Sequence, residues 1–193
     1  MNTIRLMMRE PEELEETLQV MSEADDPIYE AICESPAPGV YFGENITSEV
    51  ISPPIFKKYH APYYRRRAQQ LHAAKKFIFV HIDGTLRGVL PLMEETGVDC
   101  AQSVTPAPVG DVPVDKLRDV AGPNIIMWGG LPGVYFSRLY PERVLRQMAL
   151  DVIEHHLKGY KFIMGVADQV PPDGDIKRVK MITKLLEKYA KYD

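Results

Sequence analysis

The chain has 193 residues, 45% of them hydrophobic and 26% charged, which is the composition of one globular domain with a sizeable core. A net charge of −4 and a pI near 5.8 leave no broad basic face, which argues against nucleic acid as the main partner. No apolar stretch approaches the ~20 residues that span a bilayer, and two cysteines without a signal peptide, Cys33 and Cys100, predict free thiols in a cytoplasmic protein.

Pro11 opens the first predicted helix, residues 11–21, with acids where the helix dipole favours them and an apolar stripe of Leu14, Leu18 and Met21. A second helix starts at Asp26 and Pro27 and turns Ile28, Ala31 and Ile32 inward. Residues 39–43 read as a strand ending in the polar Glu44, Asn45 and Thr47. Pro53 and Pro54 break the chain, a helical turn restarts at Ile55, Phe56 and Tyr59, and Pro62 begins a helix that runs to about Ala74. Within it Arg65, Arg66 and Arg67 fan over different faces and read as solvated surface in preference to a phosphate clamp.

Residues 77–80 are apolar without polar alternation, between Lys75-Lys76 and Asp83-Gly84, as in a strand of a parallel sheet buried on both faces. His81 and Asp83 fall at its carboxyl end, two residues apart and so on one side of the strand. A helix over 86–95 stops at Gly97, a strand over 98–104 follows, and a short helix over 113–120 closes at Gly122. Next come a strand at 124–128 ending in Gly129-Gly130, a long helix at 141–157 closed by Gly159, a strand at 160–166 ending in Ala167-Asp168, and a helix from about Asp175 to Tyr189.

Five strand–helix units in alternation predict an α/β fold with a parallel sheet and right-handed crossovers. They suit an open doubly wound sheet or five eighths of a (β/α)8 barrel, whose full set of eight takes ~250 residues. Neither glycine-rich phosphate loop is present, which lowers the nucleotide-binding version of the first reading. Glu44, His81, Asp83 and Asp168 each follow an apolar strand, at the end where such folds place their chemistry. They are therefore expected to share one mouth, as ligands of a divalent metal such as zinc, as an acid/base group, or merely as strand ends capped by local hydrogen bonds. Asp111 reads as a turn or helix-start residue, Trp128-Gly129-Gly130 as a pocket floor or a tight turn, Cys100 as core packing, and His155-His156 as facing solvent or a neighbouring helix.

Pro53–Tyr59 with Pro62-Tyr63, His81-Ile82-Asp83-Gly84, Gly97-Val98-Asp99, Gly110-Asp111, Gly129-Gly130 and Val170–Asp173 occur in the order of the uroporphyrinogen decarboxylase superfamily, which the chain resembles over about residues 35 to 190. The superfamily includes the decarboxylase of haem biosynthesis and corrinoid-dependent methyltransferases. The resemblance implies a single domain over 1–193, with N-terminal helices in 1–34 and then the C-terminal five of the eight units of a TIM barrel. It implies an enzyme linked to tetrapyrrole or corrinoid metabolism, nearer the methyltransferase branch. The alternatives are a carboxy-lyase of porphyrin biosynthesis, which needs no cofactor, and a non-catalytic half-barrel that binds a partner.

In the methyltransferase branch zinc is held by His-x-Cys after the second of these strands and a Cys after the last. His81 stands at the first position, Asp83 replaces one cysteine and Ala167 the other, which leaves a harder set of Glu44, His81, Asp83 and Asp168. The substrate implied is a tetrapyrrole or a methylated small molecule, with a corrinoid presented by a partner protein. Two open sheet edges predict self-association or a completing subunit.

Overall fold

The computed structural model describes residues 3–159 and 161–190. Its elements are α1 (Thr3–Arg9), α2 (Pro11–Ala24), α3 (Asp26–Glu34), β1 (Gly39–Ile46), α4 (Pro53–Ile55), α5 (Ala61–Ala73), β2 (Phe77–Ile82), α6 (Leu90–Met93), β3 (Cys100–Val104), α7 (Leu117–Ala121), β4 (Ile126–Pro132), α8 (Glu142–His156), β5 (Phe162–Ala167) and α9 (Ile176–Tyr189). All five strands pair in parallel in the order β1-β2-β3-β4-β5. A doubly wound sheet reverses its strand order at a switch point. Here the order never reverses, and right-handed crossovers then place every helix on one face, as in an arc of a (β/α)8 barrel.

Each expected strand is present, the second at its expected limits of 77–82 and the others with shifted ones. The third begins at Cys100 because Val98 and Asp99 serve the turn, where the Asp99 carboxylate accepts the Ile78 N–H at 2.8 Å. The fourth runs on through Gly129-Gly130 to Pro132, paired residue for residue with β5 from Met127↔Phe162 to Pro132↔Ala167. Tyr160, the expected start of the last strand, lies outside the described residues. The helix expected over 86–95 shrinks to α6 and one 3-10 turn, which stops at Gly97 with φ 82°, a left-handed value glycine takes without strain. α1 is an element the sequence reading did not include.

α4 and α5 are one helix interrupted by a π turn at Phe56–His60, where the Ala61 N–H bonds to the Phe56 carbonyl five residues back. Pro62 explains the widening: it has no N–H to give, and its ring crowds the carbonyl of Lys58. The basic run on α5 is only partly solvated. Arg67 is completely buried, donating to the Asp26 carboxylate (2.8 Å), the Gln70 amide oxygen (3.1 Å) and the Ser22 carbonyl (2.6 Å), with its guanidinium 3.9 Å over the Tyr29 ring. It ties α3 and the end of α2 to α5.

Alternate side chains divide the sheet. Ile78, Val80, Ile82, Ala101, Met127 and Phe162 are buried among the helices in one continuous core with Phe56, Leu71, Leu90, Leu145 and Val152. The opposite, concave face carries two registered rows, Tyr41↔Phe79↔Cys100↔Ile126 and His81↔Gln102↔Trp128↔Ile163. Tyr41, Phe77, Trp128 and Ile163 on it are exposed. Among the described residues β1 and β5 are unpaired edges.

Candidate functional site

The concave rows hold a polar centre in an aromatic surround. Gln102 interrupts the apolar run of β3, and its amide oxygen accepts the Tyr41 hydroxyl at 3.1 Å and meets His81 Nδ1 at 2.6 Å. An oxygen in that position requires the hydrogen on Nδ1, so Nε2 of neutral His81 keeps its lone pair. Tyr41 and His81 also meet ring edge to ring face, 6.3 Å between centroids. Burial, and secondarily the negative charge of Asp168, push the Tyr41 phenol above its ordinary value, so Asp168 at the end of β5 is felt across the face. Asp168 takes a left-handed φ of 64°, a conformation aspartate tolerates better than most side chains, which ends the strand and starts the loop.

Phe79 and Trp128 meet edge to face across β3, 6.3 Å between centroids, where the small Cys100 leaves room. Gly165 carries the Trp128 indole: a Cβ there would lie 2.8 Å from Nε1. The loops at the carboxyl ends are clamped by Asp111, whose carboxylate accepts the backbone N–H of Leu86 (2.7 Å) and of Arg87, while the Arg87 guanidinium returns to the Asp111 carbonyl. Asp111 thus holds the loop after β2 to the loop after β3. Cys100 is buried, and burial pushes its thiol up to about 12, as expected of core packing.

The four expected mouth residues are not brought together. His81 lies on the concave face, and Asp168 acts on that face electrostatically. Asp83 is turned to its own loop, accepting the Gly84 N–H at 2.7 Å, and among the described residues no hydrogen bond or ion pair joins it to His81. Glu44 departs most. It sits on the helix side of β1, in step with Val40 and Phe42, and accepts the hydroxyl of the buried Tyr64 at 2.5 Å. Among the described residues no three histidine, cysteine, aspartate or glutamate side chains are placed to hold one metal ion. The proposed ligand set therefore does not fit zinc, because a tetrahedral site needs three or four donors near 2 Å.

Tyr41 and Gln102 were missed as site residues although a signal was present: the strand period of two puts Gln102 on the same face of β3 as Cys100, opposite Ala101 and Ser103. His155 and His156 divide the two alternatives expected of them, solvent and a neighbouring helix, since Val114 belongs to the 3-10 turn before α7. His155 is exposed, whereas His156 is buried, stacked on Phe162 at 4.9 Å and bonded to the Val114 carbonyl at 2.6 Å.

Parallel units in unreversed order, with polar groups and an aromatic wall on the lumen side, define an α/β protein of the TIM-barrel class. The chain belongs to the uroporphyrinogen decarboxylase (URO-D) family, whose model matches residues 1–189 and so takes in the N-terminal helices as well as the five units. A solved methyltransferase from Methanosarcina mazei has a similar fold, with a TM-score of 0.77 at 17% identity, over 97% of this chain and 53% of that one. The chain thus spans about half the length of that structure. No curated protein matches. No helix among the described residues is long and apolar enough to cross a membrane.

Proposed function

We propose that the concave face is the substrate-facing half of an enzyme site in the URO-D family, acting on a tetrapyrrole or a methylated small molecule and nearer the methyltransferase branch. The Tyr41–Gln102–His81 cluster carries this reading. Gln102 fixes the imidazole so that Nε2 exchanges a proton with the substrate, Tyr41 presents a phenol beside it, and Asp168 favours positive charge developing nearby. Asp83 stands at the rim in the loop after β2. Phe79 and Trp128 offer a flat apolar wall on which a conjugated or methylated ligand rests.

In the methyl-transfer form of the proposal a partner protein presents a corrinoid at this face; the decarboxylating form needs no cofactor. The zinc chemistry of the methyltransferase branch has no ligand set here, and no step is assigned to it. The free Cys33 and Cys100 fit a reducing, cytoplasmic setting. The exposed edges β1 and β5 and the uncovered lumen residues Tyr41, Phe77 and Ile163 favour completion of the arc by further β/α units from a second copy or another chain.

Trp128 is the only tryptophan, so its emission reports ligands on this face. Quenching by methylcobalamin or by uroporphyrin, with methyl transfer to a thiol or carboxylate loss from uroporphyrinogen as the turnover readout, separates the two forms. His81→Gln is expected to abolish turnover and leave quenching intact. Full activity in His81→Gln would remove the proposed role, and binding of a partner protein without any turnover would favour the non-catalytic half-barrel.

A further inference from the structure

On the opposite side of β1 from the concave face lies a second cavity of about 660 Å³, bounded by α1, α2, the π turn and the start of α5. Its walls are mostly apolar and aromatic, with Leu14, Ile51, Tyr59 and Tyr63 among them. Three carboxylates line it, Glu15, Asp25 and Glu44, against one lysine, Lys58, and that lysine is already paired with Glu15 at 2.6 Å. Among the described residues neither Asp25 nor Glu44 is paired with a lysine or arginine.

Each of the two accepts one phenol, Glu44 from the buried Tyr64 and Asp25 from Tyr63 at 3.2 Å, which orients the carboxylates without neutralising them. The π turn adds His60, its ring stacked on Phe56 at 5.8 Å and its Nδ1 3.9 Å from Glu44. Burial lowers the His60 pKa against the pull of Glu44, so the imidazole adds no firm positive charge at neutral pH. Among the described residues that line it, three carboxylates thus stand against one lysine, while Arg66 and Arg67, which share Asp26 and both bond Ser22 on the wall, stand on the Asp25 side.

We propose that this cavity is a binding site for a small organic ammonium ion, an apolar body bearing one positive charge. The cation would meet the carboxylates of the lining, Glu44 foremost, while the body fills the apolar space beside Leu14 and Ile51; the Tyr59 and Tyr63 rings already face Lys58 at 5.0 Å and Arg67 at 5.3 Å. A neutral ligand of the same shape satisfies only the second requirement, and an anion is opposed by both carboxylates. The volume lies within the range of small-molecule pockets. The site is independent of the concave face, since Glu44 and Tyr41 lie on opposite sides of β1.

The test uses two probes of nearly equal shape, benzylammonium and benzyl alcohol, titrated into the full chain and followed by calorimetry and by backbone amide shifts. Benzylammonium is expected to bind about tenfold more tightly than the alcohol, because charge-assisted contacts act on it alone. Its shifts should centre on Leu14, Tyr59 and Tyr63. Glu44→Gln should bring the two affinities together, and Asp25→Asn, between α2 and α3, should narrow the gap should Glu44→Gln disturb β1. Equal affinities in the unmodified chain would reduce the cavity to an apolar cleft and overturn the proposal. So would absence of binding by either probe at millimolar concentration, or shifts confined to Phe79, His81 and Trp128.

Discussion

Gln102→Leu tests the concave cluster most directly, because one amide oxygen serves two donors. The two donors differ in access to water: His81 is 8% exposed and Tyr41 54%. Removing the acceptor leaves the His81 Nδ1–H stranded in a nearly buried position, at a cost of about 1–3 kcal/mol, whereas the Tyr41 hydroxyl recovers its hydrogen bond from water. Leucine returns part of the loss by adding apolar area on a half-buried strand position, so a net destabilisation of about 1–2 kcal/mol is expected. Urea unfolding followed at Trp128 measures it. Tyr41→Phe alone should cost about 0.5 kcal/mol or less, and nothing further in the Gln102→Leu background, since its partner is then already gone. A Gln102→Leu protein as stable as the parent, or equal costs of Tyr41→Phe in both backgrounds, would refute the shared-acceptor geometry.

The indole of Trp128 lies against Gly165, so Gly165→Ala should turn it from its rotamer, shift its emission and cost about 1 kcal/mol, with unchanged emission as the contrary result. His60 and His156 are both held below the ordinary histidine value of 6.5, first of all by burial. The unfolded chain therefore binds protons that the fold resists, so stability is complete above about 6.5 and falls as pH drops below it. His156→Gln, which keeps a donor for the Val114 carbonyl, should flatten that fall in a pH series of urea midpoints. Asp26 and Asp175 are shifted the other way, below the ordinary 3.8, Asp26 chiefly by its hydrogen bond from Arg67 and Asp175 by the Lys177 N–H, so a second loss should follow as pH falls through that range. With edges at β1 and β5, light scattering should give a mass above the 21.9 kDa of one chain, and a monodisperse monomer at high concentration would count against a completing copy.

The strands were legible because a sheet covered by helices writes itself as short apolar runs, and residues 77–80 and 125–128 are such runs. Their limits were less so. Asp99 belongs to a turn because its carboxylate is spent on the Ile78 N–H, a tertiary bond with no local signature, and β4 runs through two glycines that read locally as a stop. The short α6 shows the same override, its expected first residues held in a loop bonded through Asp111, whereas the helix expected over 113–120 is present as a 3-10 turn that runs into α7. Arg67 reads as surface from its neighbours Arg65 and Arg66, and only the proximity of Asp26, forty-one positions away, makes its burial tolerable.

The site was half legible for a related reason. Position at the carboxyl end of a strand is visible in a sequence, but which face a side chain takes depends on register and on bulges. β1 passes from Phe42↔Val80 to Ile46↔Ile82, so it spends two more residues than β2 over that interval. Tyr41 precedes this insertion and takes the lumen side through its register with Phe79, whereas Glu44 lies within it and stays on the helix side with Phe42 because the insertion is even in number. An odd insertion ahead of Glu44 would have turned the carboxylate to the lumen side and left Tyr41, which precedes the irregularity, where it is. The register of β1 thus puts the Tyr41–Gln102–His81 cluster on one side of the strand and the cavity lined by Glu44 on the other.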